Sequence, residues 1–496
     1  MLKPLRPLLT DRRRGRAVAA ASVTLAAAGI VLLRAPKPSQ GLPLAPETQA
    51  IRVQPSRSAQ GAAQVRFATG AVHGRVAMAQ GAVAPDAPSH VYSEIRITAD
   101  DAPGSAPPRP VAMAVVLDVS GSMSGEKLEQ ARGSVLSLVD QMRDDDRIAL
   151  VTYSDNARVV QPLARVADVR QRLHGIVPGI TIEGGTNIPA GLAAGASTLE
   201  SAPSTFVQRV VLVSDGQDTS GQPLDRTAAS VRTRAEQGVT LSALGVGADY
   251  DERFMSRVAD AGRGNYEFLR NGAQLRAFLA RELQQATRTV VERAYVNLTL
   301  PEGWRLTRGY GSEVAALGRS VNVPVGALFA GEERRLVLDF VVDPAQAQRA
   351  HGDGHAGAVV ARLGYHDVSR NAPSSHDLGT LAMGVARTDA EALASRDVVV
   401  FAEAEGTVIA ARQADAVVAW RAGNAGEAAS IAQQNLHALR ALQAAAQSAA
   451  RAAQIRAYDE DNTAFNTVSG ASEEGRAYGL RSNAVHRRAQ RSAAAY

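Results

Sequence analysis

Asp118, Ser120 and Ser122 stand two residues apart, directly after the apolar run 111–117, in a loop that contains Gly121. A carboxylate followed by two hydroxyls offers hard oxygen donors, the kind a small divalent cation takes. The apolar run reads as a buried strand, and open α/β sheets collect their ligands at the carboxyl ends of strands. Two further segments carry matching pieces. Gly184-Gly185-Thr186-Asn187 is a Gly-rich loop that opens a helical stretch, and Ser214-Asp215-Gly216 closes the apolar run 210–213. Asp118, Ser120, Ser122, Thr186 and Asp215 together supply two carboxylates and three hydroxyls. With waters they make an oxygen site suited to Mg²⁺, and the donor set leaves Mn²⁺ and Ca²⁺ open as alternatives. Hydroxyl ligands do not neutralise the ion, so it stays electrophilic towards an incoming acidic group.

The order Asp-x-Ser-x-Ser, then Thr, then Asp resembles the von Willebrand factor A domain with its metal-ion-dependent adhesion site. All five positions match, within Asp118-Val119-Ser120-Gly121-Ser122-Met123, Gly184-Gly185-Thr186-Asn187-Ile188 and Leu212-Val213-Ser214-Asp215-Gly216. Gly245-Val246-Gly247 also fits. Over roughly residues 70–385 the chain resembles bacterial A-domain proteins labelled Ca-activated chloride channel homologues and, more distantly, the heavy chains of inter-alpha-trypsin inhibitor. The resemblance implies that Ser120, Ser122 and Thr186 bind the ion through hydroxyls, and Asp118 and Asp215 directly or through water. It implies that the last coordination position is filled by an Asp or Glu carboxylate of a protein partner. The implied function is cation-dependent protein binding, for adhesion or scaffolding, and not catalysis. The alternative is an accessory subunit of an ATPase-driven or chelatase-type complex. The channel label finds no support, because one apolar segment cannot build a conduction path.

Rival constellations are weaker. Ser124-Gly125-Glu126-Lys127 and Ser154-Asp155-Asn156 are two of the three elements of serine β-lactamases, but no lysine follows Lys127 to supply the third. Ser124 reads more simply as a helix N-cap. Gly245-Val246-Gly247 lacks the third glycine of a dinucleotide loop. His351, His355, His366 and His376 read as solvated loop residues, Asp144-Asp145-Asp146 as a solvated turn, and Trp304 and Trp420 as packing residues. Lys3, Lys37 and Lys127 are the only lysines in a chain otherwise rich in arginine, which reads as compositional bias.

The elements that must position the five residues follow from hydropathy patterning. Between 110 and 289, apolar strands (111–118, 147–154, 208–214, 239–246, 264–269) alternate with helical stretches (126–142, 188–201, 223–237, 251–261, 272–288). This predicts a Rossmann-like α/β domain, a parallel sheet with helices on both faces. Alternating stretches at 58–105 and 290–386 predict a β-sandwich into which the α/β domain is inserted. Residues 388–455 are alanine-rich and helical, broken at Gly423-Asn424-Ala425-Gly426 into a hairpin. Residues 456–496 read as a polar tail, disordered or loosely helical.

At 496 residues, 45% of them hydrophobic and 21% charged, the chain can bury several cores. It has no cysteine, which excludes disulfides, thiolate metal sites and cysteine nucleophiles. The net charge of +5 is matched by the first 16 residues alone, where Lys3, Arg6, Arg12, Arg13, Arg14 and Arg16 face Asp11. The remainder is near neutral and carries no nucleic-acid footprint. The uncharged stretch 17–33 after those basic residues reads as a membrane anchor, or as a signal peptide, and 34–57 as a flexible tether. This predicts a single-pass inner-membrane protein with its bulk in the periplasm, or secretion after cleavage.

Overall fold

The computed structural model describes residues 54–57, 63–101, 108–270, 272–445 and 447–492. The stretch 17–33 and most of the tether lie outside them. Among the described residues no helix is long and apolar enough to cross a membrane. The assignment to the inner membrane is therefore withdrawn: it rested on the hydropathy of that one stretch.

The α/β part is a six-stranded sheet in the order Arg263–Leu269, Val239–Val246, Val207–Ser214, Val111–Asp118, Arg147–Tyr153, Ala157–Arg165. The first five strands run parallel, and the sixth is antiparallel to its neighbour at the edge. The sequence reading gave a purely parallel sheet and missed this sixth strand. Its half-exposed, charge-interrupted pattern does not look like the buried runs beside it, and an edge strand has only one neighbour to satisfy. The helix Val166–Ile176 that follows it was missed as well.

Every residue of Val111–Asp118 is buried, because both faces of the sheet are covered. Val111, Met113, Val115 and Leu117 face a core shared with the helices Glu126–Gln141, Val166–Ile176 and Gly272–Thr287. Ala112, Ala114 and Val116 face a second core with Ile188–Thr198, Leu224–Glu236 and Glu252–Ala261. The period of two along a strand divides one apolar run between two cores.

The helix Ile188–Thr198 lies close to this sheet through Gly191 and Gly195. A Cβ on Gly191 would come within 2.7 Å of the Tyr153 ring, and one on Gly195 would overlap Val116. Gly195→Ala is therefore expected to destabilise the protein by about 1–3 kcal/mol through overpacking, measured as a lower urea midpoint with an unchanged slope. This helix follows Thr186 directly, so its seat also fixes where that hydroxyl lies.

The flanking β segments form two further six-stranded sheets. One places Ser89–Ala99 beside Glu333–Val342, antiparallel from Ser89 against Val342 to Thr98 against Glu333. The chain before and after the α/β part thus meets in one sheet. The other is built around Thr289–Thr299, His355–Asp367 and Ala372–Val385. Both sheets share one core, in which Trp304 meets Phe340 edge-on. His366 bonds Asn371 and His376 stacks on Tyr365, and both are buried, so these two are not the solvated loop residues expected.

Val398–Arg421 and Ala425–Ala445 form the helical hairpin, with Gly423 at φ 94° in the turn. Residues expected as a loose polar tail instead build the helices Ala449–Thr467 and Glu473–Ala489. Their buried polar side chains are satisfied by one another and by neighbouring elements, which composition could not reveal. Asp461 accepts from Gln413 (2.8 Å), Tyr478 (2.9 Å) and Ser482 (2.7 Å), and lies 2.6 Å from His486 Nε2. Ser482 approaches the same imidazole nitrogen at 3.0 Å, and a triad would divide its partners between the two nitrogens. The cluster joins helices. Leu480 inserts into the second α/β core, and Asn483 donates to Glu252 (2.7 Å).

Candidate functional site

Three loops meet at the carboxyl edge of the central sheet, tied by backbone bonds. Val119 N donates to Tyr153 O (2.9 Å), Glu183 N to Val119 O (2.7 Å), Gly121 N to Gly184 O (3.2 Å) and Asn187 N to Ser154 O (2.7 Å). The backbone at Gly184 and Gly185 lies close to the Asp155 carboxylate, which a Cβ on either would displace. Ser154 Oγ donates to Glu183 (3.0 Å). The Ser-Asp-Asn that hinted at a β-lactamase thus staples the Thr186 loop in place.

All five expected residues converge here. Asp118 and Asp215 are fully buried. Asp118 Oδ1 accepts from Ser120 N (2.8 Å), and its Oδ2 accepts from Ser214 Oγ (2.7 Å). Ser120 Oγ lies 3.1 Å from Ser122 Oγ, which donates to Asp215 Oδ1 (2.7 Å). A Cβ placed on Gly216 would sit 3.1 Å from Thr186 Oγ1 and 3.2 Å from Ser122 Oγ, so these hydroxyls flank one small space. Burial raises the Asp118 carboxyl above its usual range, with the nearby Asp215 charge adding to it and bonds from Ser214 and Ser120 opposing it. Two buried carboxylates close together, with hydroxyls and, among the described residues, a lysine ammonium paired to one of them, make a donor set that a divalent cation fits. Among the described residues no group of three or more His, Cys, Asp or Glu could hold a metal ion. A site at this edge therefore depends on hydroxyl donors.

Several residues that shape the site were missed by the sequence reading. Ser214 anchors Asp118, and its signal was its place just before Asp215. Thr219 Oγ1 accepts from Thr186 N (3.0 Å) and donates to Thr186 O (3.2 Å), holding the backbone of that loop. Asp218 accepts from Ile188 N (3.1 Å) at the helix start. Lys127 was set aside as compositional bias, yet its ammonium pairs with Asp215 and lies 3.3 Å from Ser122 O. Ser124 does not cap the helix, since Gly125 holds that position. Asp146 is buried and accepts from Val111 N (2.8 Å) and Arg143 N (2.9 Å), so it anchors the first strand rather than facing solvent.

The fold and the order of the site loops define an α/β domain of the von Willebrand type, and residues 113–281 match the family model "von Willebrand factor type A domain". The chain contains a von Willebrand factor type A domain. It is 30% identical over 244 residues to the uncharacterized protein YfbK of Escherichia coli, covering 47% of this chain and 42% of that one. It is 32% identical over 176 residues to inter-alpha-trypsin inhibitor heavy chain H2 of Sus scrofa, covering 33% and 18%. The chain thus spans less than half the length of either relative. In structure it is similar to the ArnB paralog VWA2 of Sulfolobus acidocaldarius, with a TM-score of 0.58 at 17% identity, covering 86% of this chain and 99% of that one. That likeness shows a shared fold. Domains of this type generally mediate protein–protein interaction and typically bind a divalent metal.

Proposed function

We propose that this chain is a cation-dependent protein-binding module. Asp118, Ser120, Ser122, Thr186 and Asp215 would hold Mg²⁺, or a divalent ion of similar chemistry, and the partner would supply an Asp or Glu carboxylate. One observation carries the reading: three separate loops bring these groups together, with Ser122 bonded to Ser120 and Asp215, the Thr186 and Ser122 hydroxyls flanking one small space, Asp118 buried near Asp215, and Ser122 exposed. The exposed Ser122 leaves this side of the site accessible to a ligand from another molecule, which supports the reading. The bound ion would supply a positive charge that keeps its electrophilicity, because the hydroxyl donors are neutral. This chain's own part is to fix the donors: Ser214 and Ser120 N orient Asp118, and Thr219 holds the Thr186 loop.

The test is retention of partner proteins from the native cells on the immobilised full chain. Mg²⁺ is expected to sustain retention, EDTA to release the partners and fresh Mg²⁺ to restore binding, while Ser122→Ala weakens it. Retention indifferent to both EDTA and Ser122→Ala would overturn the reading.

A further inference from the structure

Lys127 is the only lysine beyond position 37, in a chain that is otherwise rich in arginine. Its position is locally unfavourable. It occupies the first turn of the helix Glu126–Gln141, where the helix dipole favours acidic side chains and opposes cations. What accounts for it is the site. The ammonium ion-pairs with Asp215, whose carboxylate is fully buried, while Lys127 itself remains about one-third exposed at 35%. A second bond reaches Ser122 O at 3.3 Å, and a Cβ on Gly247 would lie 3.6 Å from Nζ, so the ammonium sits against that turn as well. An ammonium is a compact point charge on a flexible stem, whereas a guanidinium is a broad planar fork. Of the two, lysine is the closer substitute for a metal ion and the easier to move aside.

We propose that Lys127 is a tethered cation that neutralises Asp215 in the ion-free protein and is displaced when a divalent ion binds. This rests on the proposed function, since it takes Asp215 as a ligand of the ion. The ammonium and the ion compete for one carboxylate. The site therefore binds its ion less tightly than its donors alone would allow, and the carboxylate of a bound partner supplies the missing negative charge. Lys127 acts through Asp215, as a positioning residue that sets ion affinity and ties occupancy of the site to the partner's presence.

The experiment is direct titration of the full chain with Mn²⁺ by calorimetry. Lys127→Met is expected to bind Mn²⁺ about tenfold more tightly than the wild type, through removal of a like charge a few ångströms away. Lys127→Arg, which keeps the charge on a group harder to move aside, is expected to show no such gain and to bind Mn²⁺ no more tightly than the wild type. A second readout uses the scarcity of lysine. On acylation by an amine-reactive ester, Mg²⁺ should raise modification of Lys127 and leave Lys37 unchanged, and Asp118→Asn should abolish the difference. If the wild type binds Mn²⁺ but Lys127→Met is no tighter, or Lys127 labelling does not respond to Mg²⁺, the tethered-cation role is overturned while the ion site stands. If the wild type binds no divalent ion, both readings fall.

Discussion

Asp118→Asn is expected to abolish divalent-cation binding, by at least about 100-fold in affinity, while leaving the ion-free protein as stable as the wild type or slightly more so. The two halves of this expectation have one cause. Asp118 is buried next to Asp215, and burial raises its carboxyl pKa. A carboxyl whose folded pKa exceeds its unfolded value contributes stability at low pH and loses it as pH rises through the folded value. At neutral pH the ionised carboxylate is thus a cost to the ion-free fold. Asparagine removes that cost and keeps an oxygen that can accept from Ser120 N or Ser214 Oγ. A bound cation reverses the balance, because it requires the charge. Thermal unfolding with and without Mg²⁺ tests this. At ion concentrations about 100 times Kd, binding should add about 2.7 kcal/mol to the wild type, a rise in Tm on the order of 5 °C. Asp118→Asn should show no rise. A variant that still responds to Mg²⁺ would remove Asp118 from the site, and one that unfolds in EDTA well below the wild type would show that the carboxylate is structural.

Asp461→Ala should produce the largest loss of stability, about 3–5 kcal/mol. The substitution strands donors from Gln413, Tyr478 and Ser482 and leaves buried His486 without its carboxylate. Trp420 packs on Phe465 and Tyr478 in the same helical region, so a red shift of its fluorescence in urea reads out the loosening. Burial alone would raise the Asp461 carboxyl. The charge of His486 and the bonds from His486, Ser482 and Gln413 outweigh burial and hold it below its ordinary value. A depressed folded pKa gives stability that is complete above the unfolded value, near 3.8, and is lost as pH falls towards the folded value. The wild type should therefore lose this contribution below about pH 4, and Asp461→Asn should flatten that part of the profile. A urea midpoint for Asp461→Ala indistinguishable from the wild type would show that these helices do not depend on the network.

The effect should reach beyond the helices. Glu473–Ala489 inserts Leu480 into an α/β core, and Asn483 and Arg421 both bond Glu252. Arg487 and Arg491 pair with Asp260 on the same α/β helix, while Arg491 O accepts from Arg335 N (2.9 Å) in a β-sheet. The last helix is thus bonded to two other parts of the protein at once. Loosening it should lower the stability of the α/β domain as well, and hydrogen exchange in Glu252–Ala261 should then rise in Asp461→Ala.

Much of the α/β domain could be read from sequence because its strands are buried on both faces and so appear as unbroken apolar runs. The five candidate residues that the fold brings together could be singled out because a strand end followed by a Gly-containing loop of oxygen donors is a local pattern. What failed was whatever depends on partners distant in the chain. Ala157–Arg165 was missed because an edge strand need not be apolar. Asp146 looked solvated because nothing nearby in sequence shows that it binds the backbone of Val111. The last two described helices looked loose because the partners of their buried polar residues are far away in the chain.

Residue types and spacing by themselves thus determined the five parallel strands and singled out Asp118, Ser120, Ser122, Thr186 and Asp215 as candidates, since each rests on local periodicity and donor chemistry. The tertiary structure alone decided that Ser214 and Thr219 hold those donors and that the C-terminal helices lock onto the α/β domain. It also turned Lys127 from a quirk of composition into the counter-charge of Asp215, 88 residues away. The physical reason is the same in each case: a hydrogen bond or ion pair depends on distance in space, and only folding brings these groups together.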